Sequence, residues 1–261
     1  MQFASLGSGS EGNALLMAAG TGNHRSVVML DCGFGLRETE RRLQRLELDP
    51  ASLSAIFVTH EHQDHVGGVF MLARRYRLPV WLSYGTFQAL AHKAEGVDIR
   101  LCRDGEPVVV GALVLTPYTV PHDAREPLQY VATDGKTKLG VLTDAGMSTA
   151  HMLTTLGGCD ALLLECNHDA MLLAQSSYPP SLKVRIGGPF GHLSNQAAAG
   201  VLAGIDRSRL SKVVGAHLSR KNNTPVLARA AITSVLGEEE VEVMIACQDE
   251  GFGWLGCGRG A

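Results

Sequence analysis

"THEHQDHVGG", residues 59–68, brings three imidazoles and an aspartate into six positions, His60, His62, Asp64 and His65, in the pattern H-x-H-x-D-H. The stretch follows the apolar run "AIFV" and precedes an apolar-periodic segment. It therefore reads as a turn between a buried strand and a helix. A solvent-facing histidine tract has no reason to end a buried strand and run into "VGG". Imidazole and carboxylate donors suit zinc, manganese or iron. In extended backbone, positions 60 and 62 point to the same side, while Asp64 and His65 aim at a second position. Four donors this close cannot all serve one catalytic ion and leave it an open coordination place. Two ions about 3.5–4 Å apart are the natural arrangement.

Outward from this turn, the chain alternates short apolar strands with helical patterns. Strands are expected at 2–6, 13–18 and 26–30, then a helix near 36–47 with Leu36, Leu43 and Leu46 among charges. "AIFVTH" (55–60) is a buried strand, and helices near 67–77 and 84–93 flank the short strand "PVWLS". Strands dominate from about 98 to 142. The second half follows the same alternation, with a strand at 160–169, a helix at 193–204, a strand at 211–219, a helix at 225–237 and a last strand at 241–247. The helix at 225–237 has proline at its start and glycine at its end. Two similar halves predict an α/β (α+β) chain with two sheets covered by helices outside. At 261 residues and 45% hydrophobic content, with no linker or repeat, one domain over 1–261 is expected.

The composition narrows the partners. Net charge is −3, so no global basic field advertises nucleic acid, and the local Arg/Lys clusters read as solvated faces. The six cysteines form no C-x-x-C pair, and Cys166 and Cys247 read as small core residues. No secretion signal or membrane-length apolar run is evident, so a cytoplasmic protein without a membrane partner is expected. One motif competes with the metal reading. "GSGSEGN", residues 7–13, fits G-x-G-x-x-G, and Asp31 stands 19 residues past Gly12, near where a dinucleotide fold places its ribose-binding acid. Only about seven residues of regular structure fit before the next strand, too few for a crossover helix. A hairpin is the better reading, with Ser8, Ser10 and Asn13 available to a substrate phosphate if it lies at the site rim.

H-x-H-x-D-H after a strand, with "LDCG" upstream, resembles the metallo-β-lactamase-fold hydrolases. The resemblance implies an αββα sandwich of two mixed β-sheets flanked by helices, with a dinuclear site at one edge. It further implies a later histidine, a bridging aspartate and a last histidine. "YTVPHDA" offers His122, "LGVLTDAG" offers Asp144, and "VVGAHLS" offers His217. The implied arrangement is His60, His62 and His122 on one ion, Asp64, His65 and His217 on the other, and Asp144 between them. Asp31 then becomes a residue beneath the site that orients a ligand through a hydrogen bond. The implied cofactors are two divalent metal ions, zinc or manganese.

Within that superfamily, "LGSGSEGN", "LECNHD", "YPPSLKVRI", "GHLSN" and "HLSRKNN" are similar to the bacterial YycJ (WalJ/VicX) family, related to ribonucleases Z and J and to cyclic-phosphate phosphodiesterases. That similarity implies phosphodiester hydrolysis of the 5′→3′ DNA exonuclease type, with DNA favoured over RNA and small phosphodiesters also open. Asp64 and His192 are the candidate catalytic residues, His192 as a phosphate ligand or leaving-group acid beside the helix cap Ser194. Glu165, Asn167, His168, Ser194, Arg220 and Lys221 are the candidate substrate contacts, with Lys183 and Arg185 further candidates for the nucleic-acid backbone. The alternatives are a small ester or thioester hydrolase of glyoxalase II type, promiscuous β-lactam hydrolysis, and a non-catalytic metal-binding regulatory protein. The bridging aspartate argues against a typical β-lactamase, and open coordination argues against a non-catalytic role.

Overall fold

Strands whose residues are apolar at every position must be covered on both faces, and the computed structural model shows how. It describes residues 1–259. The strands are β1 (Gln2–Gly7), β2 (Ala14–Ala19), β3 (Ser26–Leu30), β4 (Ala55–Phe57), β5 (Val80–Leu82), β6 (Ile99–Leu101), β7 (Val108–Val110), β8 (Leu113–Thr119), β9 (Leu128–Thr133), β10 (Lys138–Leu142), β11 (Ala161–Glu165), β12 (Lys212–Ala216), β13 (Glu242–Ile245) and β14 (Phe252–Gly256). The α-helices are α1 (Leu36–Arg45), α2 (Gln63–Val66), α3 (Val69–Tyr76), α4 (Tyr84–Leu90), α5 (Ala150–Leu156), α6 (Ala170–Gln175), α7 (Pro180–Ile186), α8 (Asn195–Gly204) and α9 (Pro225–Leu236).

Two seven-stranded sheets result, in the orders β14-β1-β2-β3-β4-β5-β6 and β13-β12-β11-β10-β9-β8-β7. Both are mixed. In the first, β3 to β6 run parallel and the β14-β1-β2-β3 portion is antiparallel. In the second, β10 to β13 run parallel and β7 to β10 antiparallel. Helices supply the parallel crossovers, as parallel pairing requires.

The side-chain alternation of the strands separates three cores. Phe3, Met17, Val28 and Phe57 of the first sheet meet Leu115, Tyr130, Val141 and Leu163 of the second, between the sheets. Leu16, Met29 and Ile56 face the other way, onto Leu43 of α1 and Phe70 and Leu72 of α3. Leu142, Leu162 and Val213 face Met152 of α5, Val201 of α8 and Ile232 of α9. The result is the helix–sheet–sheet–helix sandwich.

Several expectations change in detail. The strand expected at 55–60 stops at Phe57, and that expected at 211–219 stops at Ala216, so the histidines that follow lie on loops. The helix expected at 67–77 is interrupted: α2 starts at Gln63, and α3 at Val69. At the break the backbone turns to a neighbour, in a place only glycine fits. Gly68 N donates to Cys32 O at 2.7 Å, and a Cβ on Gly68 would lie 1.9 Å from Phe34 O. Cys166 is buried as expected, whereas Cys247 is exposed, beyond the end of β13. The strand β14 has no counterpart among the expected elements. "FGWLG" carries two glycines and gains its strand character from pairing with β1.

Candidate metal centre

The histidine turn is held from below. Thr59 N donates to Asp31 Oδ1 at 2.8 Å, and Thr59 Oγ1 donates to Asp31 Oδ2 at 2.9 Å. His65 Nδ1 lies 2.8 Å from the same Oδ2. A carboxylate only accepts, so His65 Nδ1 carries the proton and Nε2 faces the site. Thr59 has spent its one proton on Asp31, so His60 Nδ1, 2.9 Å from Thr59 Oγ1, is the donor there. His122 Nδ1 likewise donates to the Gly191 carbonyl at 2.9 Å. Three rings therefore present Nε2 to one space, in the tautomer a metal needs.

The remaining donors come from strand ends. Asp144 lies two residues past β10, Glu165 ends β11, and His217 follows β12 directly. In the first sheet, Asp31 follows β3 and His60 lies just past β4. All these strands belong to the parallel portions and end on the same edge, where open α/β sheets place their sites. The backbone is bent to aim the side chains. Asp31, Asp144 and His217 all have positive φ, at 59°, 53° and 54°. Such left-handed residues are uncommon outside glycine and cluster at functional sites.

The ligand atoms of His60, His62 and His122 lie within 4.8 Å of one another, as do those of Asp64, His65 and His217. Asp144 stands between the groups: its Oδ2 is 3.2 Å from His65 Nε2 and its Oδ1 is 3.0 Å from His217 Nδ1. These are ion-pair distances without hydrogen-bond alignment. His60 Nε2, Asp144 Oδ2 and His217 Nδ1 are buried with no hydrogen-bond partner among the described residues. Buried polar atoms are rarely left so, and the donor chemistry suits divalent ions. Without an ion, protons carry the balancing charge. Burial disfavours a charged His217, yet Asp144, Asp64 and Glu165 outweigh it and push its pKa up to about 10. Burial would raise the Asp144 carboxyl, but His217 and His65 hold it well below the usual range. His60 and His122, lowered chiefly by burial, are neutral and ready to donate.

The sequence profile of the beta-lactamase superfamily domain matches residues 26–217, a span that holds every donor just described. The chain is 34% identical to the exodeoxyribonuclease YycJ of Bacillus anthracis, over 92% of this chain and 90% of that protein. It belongs to the beta-lactamase superfamily and, within it, to the YycJ family. The exodeoxyribonuclease WalJ of Streptococcus pneumoniae is 29% identical over 93% of this chain and 90% of its own length. Among solved structures, the metallo-beta-lactamase fold protein YhfI of Bacillus subtilis superposes with a TM-score of 0.73, at 15% identity, covering 98% of this chain and 99% of that one. That likeness speaks to the fold.

Around this superfamily centre, the other expected residues divide. His192 lies beside it, Nδ1 2.8 Å from Glu165 Oε1 and 3.5 Å from Asp144 Oδ1. Glu165 is fully buried and accepts from Ala145 N and Leu193 N. It therefore orients His192 rather than facing a substrate, because its oxygens are consumed inside the protein. Asn167 is also buried and donates to the His217 carbonyl at 3.1 Å, bracing that loop instead of meeting substrate. Arg220 is engaged by Asp249 and Glu11, so it is not the free cation expected. Lys221 sits over the Tyr178 ring, 5.4 Å from its centroid. Ser194 caps α8 through Ala197 N, and His168 is buried beside it.

Of the glycine-rich loop, Ser10 is exposed, whereas Ser8 and Asn13 are turned inward. Ser8 Oγ accepts from His217 N at 2.9 Å, and Asn13 Nδ2 donates to Asp64 Oδ2 at 3.3 Å. Both residues are buried, so they brace the candidate ligands from behind. Gly33 permits this closeness, since a Cβ there would lie 1.9 Å from Asp64 O. Two residues escape a reading of the sequence. Thr59 reads as an ordinary strand residue until Asp31 is seen beneath it. Asp123, adjacent to His122 in "PHDA", lies 3.5 Å from His122 Nε2 and is paired with Arg185.

Proposed function

We propose that the protein is a dinuclear-metal-dependent phosphodiester hydrolase acting as a 5′→3′ exonuclease on DNA, with zinc or manganese as the resident ions. The observation that carries this reading is the seven-donor cluster with the Glu165–His192 pair at its side. The names of the YycJ and WalJ relatives point to the same class of reaction. His60, His62 and His122 would hold one ion, and Asp64, His65 and His217 the other, with Asp144 shared. When bound, such ions acidify water and neutralise charge that builds on the phosphoryl group.

The chain's own residues supply the rest. Glu165 fixes the His192 ring through Nδ1, which leaves Nε2 as its second donor. Burial opposes charge on His192, but Glu165 and then Asp144 raise its pKa above the ordinary value. These carboxylates favour the protonated ring. It hydrogen-bonds a phosphate oxygen and passes its Nε2 proton to the leaving oxygen as the phosphorus–oxygen bond breaks. Lys221, which no carboxylate pairs with among the described residues, is the cation of the "RKNN" segment free for backbone phosphates.

The test is a substrate panel on one preparation loaded in turn with zinc, manganese and magnesium: 5′-labelled duplex DNA, labelled RNA, bis-p-nitrophenyl phosphate, a thioester and a β-lactam. Mononucleotide release from the 5′ end is expected. Thioester or β-lactam turnover without phosphodiester cleavage under any metal would overturn the proposal.

A further inference from the structure

A cavity of about 820 Å³ opens beside His192 and is not explained by the donor cluster. Its walls are mainly apolar: Leu173 and Ala174 of α6, Pro180 and Val184 of α7, and Ala197 of α8. The lining contains no carboxylate, and its one permanently charged side chain is Lys183. Val184 is 74% exposed, a large apolar surface for an enzyme to leave uncovered at the lip of its site. Inside, His168 lines the cavity while only 3% exposed, and its Nδ1 has no hydrogen-bond partner among the described residues. The backbone beneath it is pinned, since the His168 carbonyl accepts from Asn195 N at 2.8 Å.

An apolar slot of this size, with Lys183 and His192 in its lining and no acid, suits a flat heteroaromatic ligand joined to an anion. It adjoins the residue that handles the phosphate. We propose that this cavity receives the base and sugar of the 5′-terminal nucleotide while its phosphodiester is cut, with the base lying against the apolar walls. The inference rests on the hydrolase reading above. The apolar walls of α6 and α7 supply stacking area, which every base can use, so the cavity would position the terminal nucleotide with little sequence preference.

The test compares two 5′-labelled oligonucleotides on metal-loaded protein. One ends in an ordinary nucleotide, the other in a base-free tetrahydrofuran residue. Wild-type protein is expected to show kcat/KM about tenfold or more lower on the base-free end, the scale of a lost stacking contact. Ala174→Trp fills the cavity from an exposed helix position, and Val184→Glu charges its lip. Either variant should lower kcat/KM on the ordinary end and erase the difference between the two substrates. Equal wild-type kcat/KM on both ends would overturn the proposal, as would a preference that survives in both variants. Failure of wild type to cleave either oligonucleotide with any metal overturns the DNA exonuclease reading and this inference with it.

Discussion

Thr59 shows how much a single hydroxyl can organise. It donates to Asp31 and accepts from His60, so one proton fixes the tautomer of a ring that the sequence marks as a metal donor. Thr59→Val should weaken metal binding about 10- to 100-fold by chelator competition, and Thr59→Ser should largely restore it. His60→Ala should lose both metal and activity; a metal-free His60→Ala sample with full turnover would sink the dinuclear reading. At His192, Glu165 raises the ring's pKa. A catalytic acid is active below its pKa, so Glu165→Gln should move the alkaline limb of the kcat profile to lower pH. A merely structural role for Glu165 would lower activity equally at every pH. The donors are legible in the sequence because they follow buried strands and carry rare chemistry. The supports are not: whether Glu165 and Asn167 face solvent or a neighbour depends on loops far away in the chain.

At the scale of elements, the strands can be read from apolar runs and the amphipathic helices from their periodicity, because both are local properties. Three features are not local. The gap between α2 and α3 falls where the backbone meets Cys32 and Phe34. The strand β14 exists through pairing with β1. The short helices α6 and α7 have too few residues for a periodic pattern to stand out. Energetics at this scale are testable away from the site. Thr224 caps α9 by accepting from Leu227 N at 3.2 Å. Thr224→Ala should cost about 1 kcal/mol in denaturant unfolding without changing turnover. Leu163 is buried between the sheets, and Leu163→Ala should cost about 2–5 kcal/mol.

For the whole molecule, the centre couples protonation to stability. In metal-free protein His217 has its pKa raised to about 10 from 6.5. Its contribution is complete below about pH 6.5 and is lost as pH rises through about 10. Asp144 has the opposite sign, contributing above the ordinary carboxylate range and losing that contribution as pH falls. Chelator-treated protein should therefore show a urea midpoint that declines between neutral pH and about 10. Metal-loaded protein should decline less, since the ion displaces that proton. Metal affinity itself should fall as pH falls, because protons compete for His65 and His217. A metal affinity that is flat across about pH 6–9 would count against this coupling.

The donors are shared between two sheets, and they are spread along the chain from residue 60 to residue 217. A growing polypeptide exposes His60, His62, Asp64 and His65 long before His217 has been made, so for much of synthesis a passing ion meets an incomplete cage. Correct loading belongs to the end of assembly, after the second sheet has docked on the first. Refolding with metal present from the start should then trap ions on the lone histidine turn and recover less activity than refolding followed by metal addition.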